Sequence, residues 1–252
     1  MIKQKGFLRL KGGSLGETTF VKSVDGYRAQ EKLNVPAGKF LTDPAFESAR
    51  ENASEFSRAG TAGKTLRFAL NILVSVAKDN RMTSRLLKKI REVMDADTVS
   101  PRGKRNLVDG NIRLLERFQF NANSDLQSVL HQDFGSTIDR VTGQLTVTMP
   151  VLNPLEAVKA PKGTTHFEIV SAGTEINFEQ ATSNTDAKVS AKLPWDATPT
   201  VAINNVHAVT ANSTNILIIA AGIRFYKQFN GFMKPLNAGK ENALSIIQVN
   251  KV

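Results

Sequence analysis

The sequence predicts an α+β fold: an N-terminal β-hairpin, a helical unit of three to four helices, and a C-terminal antiparallel β-sandwich of immunoglobulin-like type. Three observations predict it. Asp25-Gly26 stands between two β-rich runs. Apolar residues between positions 43 and 117 recur at the helical period. After about residue 118 the period changes to two, and Gly, Pro, Asn and Ser separate the runs at short intervals. The expected division is residues 1–35 (arm and hairpin), 36–117 (helical domain) and 118–252 (sandwich). A chain of 252 residues, 41 % hydrophobic, is long enough for one large domain or two small ones.

The hairpin comes first. ETTFVKS and YRAQEK flank Val24-Asp25-Gly26, and a tight primed turn needs the positive φ that such residues tolerate. Glycines 12, 13 and 16 permit a tight loop before it. Pro36 and Gly38 then break the chain. At Thr42-Asp43-Pro44 a helix starts: Asp43 caps, and Pro44 suits a first turn whose N–H has no partner. Ala45, Phe46, Ala49, Ala53 and Phe56 follow at helical spacing, with Glu47, Glu51 and Glu55 on an exposed stripe.

Gly60 and Gly63 are expected to end that helix and let the next pack closely. TLRFALNILVSVAK is apolar on nearly every side and predicts a buried helix. RMTSRLLKKIREVM is amphipathic: Met82, Leu86, Leu87, Ile90, Val93 and Met94 form the buried stripe. Asp95 and Asp97 stop it, and Ser100-Pro101 and NIRLLERF suggest one more cap and short helix. From FQFNAN to ALSIIQVNKV seven or so short strands follow, with Asn230-Gly231 as a second hairpin signal and a helical insert within 124–135.

Several chemistries are excluded or weakened. There is no cysteine, so thiol, disulfide and Cys-metal chemistry are absent. Gly-Lys-Thr at 63–65 is not a phosphate loop, because the required first glycine, at position 58, is Arg58, and no buried strand precedes it. His131, His166 and His207 are scattered, with no HExxH spacing and no carboxylate at a ligand interval. Ser57, Ser136 and Ser171 lack a G-x-S-x-G setting. Glu175 and Glu179 alternate with apolar residues and are expected to face solvent. Trp195 reads as a core or loop anchor. No metal or cofactor is expected. The longest apolar stretch, Leu66–Ala77, is interrupted by Arg67, Asn71 and Ser75 and is too polar to span a bilayer. No uninterrupted apolar run follows the basic N-terminus, so no signal peptide and no membrane partner are expected, and a cytoplasmic location is.

The net charge is +10 and uneven: residues 1–135 carry 23 Lys and Arg against 15 Asp and Glu. Arg81, Arg85, Lys88 and Lys89 fall on one helix face, followed by Arg102, Lys104 and Arg105. Such a stripe suits a nucleic acid or an acidic partner. No aromatic residue interleaves with it, which argues against stacking on single strands there.

GSLGETTFVKSVDGYRAQEK (13–32), with the pattern GxLGxxxFxKSxDGY, resembles a glycine-rich hairpin that opens uncharacterised proteins of Bacteroidetes bacteria. DPAFESARENASEFSRAGTAGKTLRFAL (43–70), SRLLKKIREVMDAD and AGIRFYKQFNGFMKPLNAGKENALSIIQV extend the likeness over most of the chain. That family carries no assigned reaction, so the resemblance implies no catalytic residue. It implies self-assembling or phage-derived structural proteins, cytoplasmic fibril subunits among them.

The expected function is therefore non-enzymatic: a structural protein that assembles with itself into a filament, tube or particle in the bacterial cytoplasm. The arm Met1–Lys11 is expected to add a strand to a neighbour, or else to be disordered or to pair with its own sandwich. Glu168, Glu175 and Glu179 are expected to meet the basic helical unit of another copy. The alternative is nucleic-acid binding through 81–105.

Overall fold

The computed structural model describes residues 2–4, 10–32 and 37–252. The chain forms two compact units, residues 1–50 and 51–252.

In the first unit, β1 (Ile2–Lys3), β2 (Gly12–Leu15), β3 (Thr18–Ser23) and β4 (Gly26–Glu31) form an antiparallel sheet in the order β1-β4-β3-β2. The β3–β4 turn is the one Asp25-Gly26 announces, with Gly26 at φ 113°. The arm adds its strand within its own chain: Ile2 pairs with Ala29 and Lys3 with Arg28. Residues 1, 5–9 and 33–36, which include the expected break at Pro36, lie outside the described residues. α1 (Ala37–Thr42) follows, then a 3-10 turn in which Asp43 accepts from the Ala45 N–H at 2.9 Å and Pro44 takes the first position.

α2 (Glu47–Ala69) runs straight through Gly60 and Gly63, correcting the expected break there. Gly63 serves packing instead: a Cβ on it would lie 3.3 Å from Ile90 Cδ1. The helix breaks at Leu70, and α3 (Asn71–Val74) continues it. This stretch is not buried all round. Leu66, Leu70, Leu73 and Val74 face inward, whereas Phe68 is 76 % and Ile72 62 % exposed. Phe56, grouped with the inner face by its spacing, is also exposed. α4 (Met82–Asp95) buries the stripe read from its sequence, except that Leu87 is only half-buried. Past Ser100-Pro101 the chain turns without a helix; Ile112–Leu115 is one 3-10 turn. α5 (Leu126–Val129), capped by Asp125, is all the helix that 124–135 contains.

Two antiparallel sheets follow. The smaller has the order β10-β6-β5, from β5 (Gly135–Asp139), β6 (Gln144–Met149) and β10 (Ile203–Ala208). Between β6 and the larger sheet, α6 (Pro154–Ala157) makes one turn capped by Asn153. The larger sheet centres on β7 (His166–Asn177) paired with β11 (Ile216–Phe229). β8 (Thr182–Val189) and β9 (Leu193–Pro194) pair with the outer side of β7. β12 (Phe232–Pro235) and β13 (Ala243–Asn250) share the other side of β11.

Alternation along β7 and β11 assigns the layers. Leu217, Ile219 and Ala221 meet Leu145 and Val147 of β6 between the sheets. Val170, Ala172, Ile218 and Ala220 face the opposite way and share one core with Leu66, Leu86, Ile90 and Leu115 of the helices. A bulge where β13 meets Ile219 and Ala220 keeps both Ile246 and Val249 on the helix side. The helices and one face of the larger sheet thus share one core. The smaller sheet packs on one face of the larger through Leu145 and Val147, and the helices cover the other face.

Candidate functional site

Strand alternation also sets polar groups between the sheets. Ser171 on β7 points at β10, where Asn205 Nδ2 donates to its Oγ at 2.8 Å and His207 Nε2 lies 3.0 Å away. His207 Nδ1, on the other side of the ring, has no hydrogen-bond partner among the described residues. Asp186 Oδ2 stands 3.9 Å from Nδ1, too far for a hydrogen bond, and accepts from the Ala208 N–H at 3.1 Å instead. The order serine, histidine, aspartate is that of an acyl-transfer triad. The third link is missing, however, and Ser171 and His207 are both 0 % exposed, so a carbonyl substrate has no approach to Oγ. The cluster fits sheet to sheet. Gly173 leaves room for it, since a Cβ there would lie 2.7 Å from His207 Cβ.

Two further carboxylates, both expected on the surface, are buried. Glu175 accepts from Ser213 Oγ at 2.5 Å, Asn215 Nδ2 at 2.7 Å and Thr210 N–H at 3.1 Å, pinning the β10–β11 loop. Burial pushes its carboxyl up, but these donors outweigh that and hold it below the usual range. Arg140 caps the same end, donating to Ser213 O, Asn215 O and Asn250 O. Glu168 accepts from Tyr226 Oη at 2.5 Å and from Arg224 at 3.2 Å. Neither glutamate is available to a second copy, which corrects the expected charge contact; Glu179 alone of the three is exposed. Glu55, read as part of an exposed stripe, is 3 % exposed and accepts from the Gly103 N–H at 2.8 Å.

The basic residues are largely committed within the chain. Arg85 pairs with Asp79, donates to Gln119 O and Phe120 O, and stacks 5.2 Å from the Phe118 ring. Lys89 meets Glu92 at 2.9 Å, Arg102 meets Glu51 at 3.4 Å and Arg105 meets Asp95 at 3.7 Å. Arg81, Lys88 and Lys104 are exposed. Four of the seven thus have a carboxylate partner within the chain.

His131 is exposed, and His166 Nδ1 contacts Thr165 Oγ1 at 3.0 Å. Trp195 donates its indole N–H to Val158 O at 3.1 Å and packs beside the core under β7, as an anchor. Among the described residues no group of three His, Asp or Glu side chains is placed to hold a metal ion. No helix among them is long and apolar enough to cross a membrane.

Apolar surface is exposed as well. In the N-terminal sheet, register puts Ile2, Phe20 and Ala29 in one row and Leu15 and Tyr27 on the same face. Ile2 is 76 % and Leu15 73 % exposed, and no described residue from 2 to 50 is buried. Comparison with known proteins returned no matching family model, no matching curated protein and no matching solved structure.

Proposed function

We propose that this chain is a non-enzymatic structural subunit that assembles with copies of itself, using its N-terminal sheet as the adhesive element. One observation carries the reading: the sheet gathers Ile2, Leu15, Phe20 and Ala29 on one face while its unit buries none of its described residues. A small antiparallel sheet is only marginally stable by itself, so a partner that covers its apolar face stabilises the sheet as it binds. In an immunoglobulin-like reading of the sandwich, the outer edge of β8 is a second contact, able to continue the large sheet into a neighbour. The buried serine–histidine pair and the paired cations support structure over chemistry, and a polymer in the bacterial cytoplasm is the form this assembly takes.

Analytical ultracentrifugation of the full chain tests the proposal. Species larger than a monomer should grow with concentration, and Ile2→Ser with Phe20→Ser should disperse them without lowering the main melting transition. A monomer at every concentration sinks the reading, as does assembly indifferent to both substitutions.

A further inference from the structure

β11 outlasts the core. After Phe225, which is fully buried, its last residues pair with β12 in a ribbon closed by Asn230-Gly231, both at positive φ. The register sets Phe229 opposite Phe232 and Lys227 opposite Lys234. Because side chains alternate along a strand, these four share one face of the ribbon, with Gln228 and Met233 on the other. The two rings stand next to the turn, 54 % and 71 % exposed. The two lysines are rooted one pleat behind them, their Cα atoms about 7 Å back along the strands. Lys234 Nζ lies 5.6 Å from the Phe229 ring centroid, and no carboxylate among the described residues pairs with either lysine. The ribbon's root is fixed: Tyr226 donates to buried Glu168, and Gln228 N–H donates to Thr165 Oγ1 at 2.7 Å.

We propose that this face of the β11–β12 ribbon binds single-stranded nucleic acid, with bases stacked on Phe229 and Phe232 and phosphates met by Lys227 and Lys234. Exposed rings interleaved with unpaired cations are what an unpaired strand needs, since every base offers a π-face and every nucleotide a negative charge. Residues 226 to 235 contain no acid and the chain as a whole is +10, so the charge at this face favours a polyanion. A lipid surface fits less well. The rings lie along the ribbon's face, and apex-first insertion would carry the Asn230 amide and the turn's backbone groups into hydrocarbon. The site is separate from the basic helix, whose cations are mostly paired.

Fluorescence anisotropy of the full chain with a labelled oligothymidylate tests the proposal. Wild type should bind at micromolar protein in low salt, and more tightly than to a duplex of the same sequence length. Phe229→Ala with Phe232→Ala should weaken binding by about tenfold or more per ring. Phe229→Leu with Phe232→Leu keeps apolar bulk but removes the stacking face, and should lose nearly as much. Lys227→Ala with Lys234→Ala should reduce the slope of log affinity against log salt by about 1.4, the value for two phosphates on a single strand. All six substitutions lie on exposed side chains, and unchanged melting checks the fold. The proposal is overturned by no binding at micromolar protein, or by full binding in the leucine pair. It is also overturned if Lys88→Glu with Lys104→Glu, not the ribbon variants, abolishes binding. Ribbon variants that lose only capture by phosphatidylserine vesicles, or only self-association, overturn it equally.

Discussion

Ser171 Oγ lies 3.0 Å from His207 Nε2 in the interior of the sandwich, with neither side chain exposed to solvent. Burial holds the His207 pKa below its ordinary 6.5; Lys188 pushes the same way, and Asp186 opposes both. The unfolded chain therefore takes up the imidazole proton at higher pH than the folded chain. Stability from this site is complete above pH 6.5 and declines as pH falls from 6.5 toward the lowered folded value. Urea midpoints between about pH 8 and about pH 5 should drop across that window, and His207→Gln should flatten the drop. A wild-type midpoint constant through the window would show that His207 is not held neutral by its surroundings.

Gly173 and Gly60 should respond to alanine in opposite directions. A Cβ at Gly173 meets His207 Cβ at 2.7 Å and Leu145 Cβ at 3.0 Å, between two packed sheets that cannot separate freely. Gly173→Ala should cost about 1–3 kcal/mol, the range for overpacking a filled core. Gly60 lies inside α2 with nothing within 4 Å of a built Cβ. Gly60→Ala should stabilise by up to about 1 kcal/mol through helix propensity. Denaturant midpoints of the two variants decide this, and stabilisation by Gly173→Ala would mean that the sheets are looser than the contacts state.

What the sequence disclosed was local. Asp43-Pro44, Asp25-Gly26, Asn230-Gly231 and the stripe from Met82 to Met94 obey rules that span a few residues, and each forms the element it announces. Glu55 and Glu175 misled because their burial is decided by partners far along the chain: Gly103 is 48 residues from Glu55, and Ser213 is 38 from Glu175. Alternation along β7 was correctly periodic at Glu175, but a second sheet covers the face that periodicity assigns to water. Gly60 and Gly63 have the composition of a helix end, yet tertiary packing overrode it. Nothing local marked Ser171 and His207 as neighbours across 36 residues. The Phe229–Phe232 face was legible as a hairpin but not as a surface, since exposure depends on where the core ends.

Asp97 closes the loop after α4 by accepting from three backbone N–H groups: Val99 at 2.8 Å, Ser100 at 2.9 Å and Asn106 at 3.1 Å. Burial pushes its carboxyl up, but hydrogen bonds led by Ser100 and Asn106 outweigh this and bring it to about 2. With the folded pKa below the unfolded 3.8, its contribution is full above that value and is lost as pH falls toward 2. Asp97→Ala should cost about 2 kcal/mol, because it strands donors that are partly shielded from water. Asp97→Asn should recover part of the loss, since its amide oxygen still accepts. Equal stability of wild type and Asp97→Ala at neutral pH would mean that solvent replaces the carboxylate without penalty.

At the alkaline end the controlling group is Tyr226. Burial raises its hydroxyl most, and the hydrogen bond to Glu168 adds to it, bringing the pKa to about 12. A phenol at the ordinary value of 10 in the unfolded chain ionises first there, so the stability it contributes is intact below pH 10 and fades between 10 and about 12. The ultraviolet signal of tyrosinate should therefore include a late phase, arriving near pH 12 or together with unfolding. Tyr226→Phe should remove that phase. It should also free Glu168 from one of its two donors and loosen the root of the β11–β12 ribbon, so that amides from Lys227 to Lys234 exchange hydrogen faster while those of β7 and β13 do not. Tyrosinate complete by about pH 10.5 in folded wild type would show that the hydroxyl is not held by Glu168.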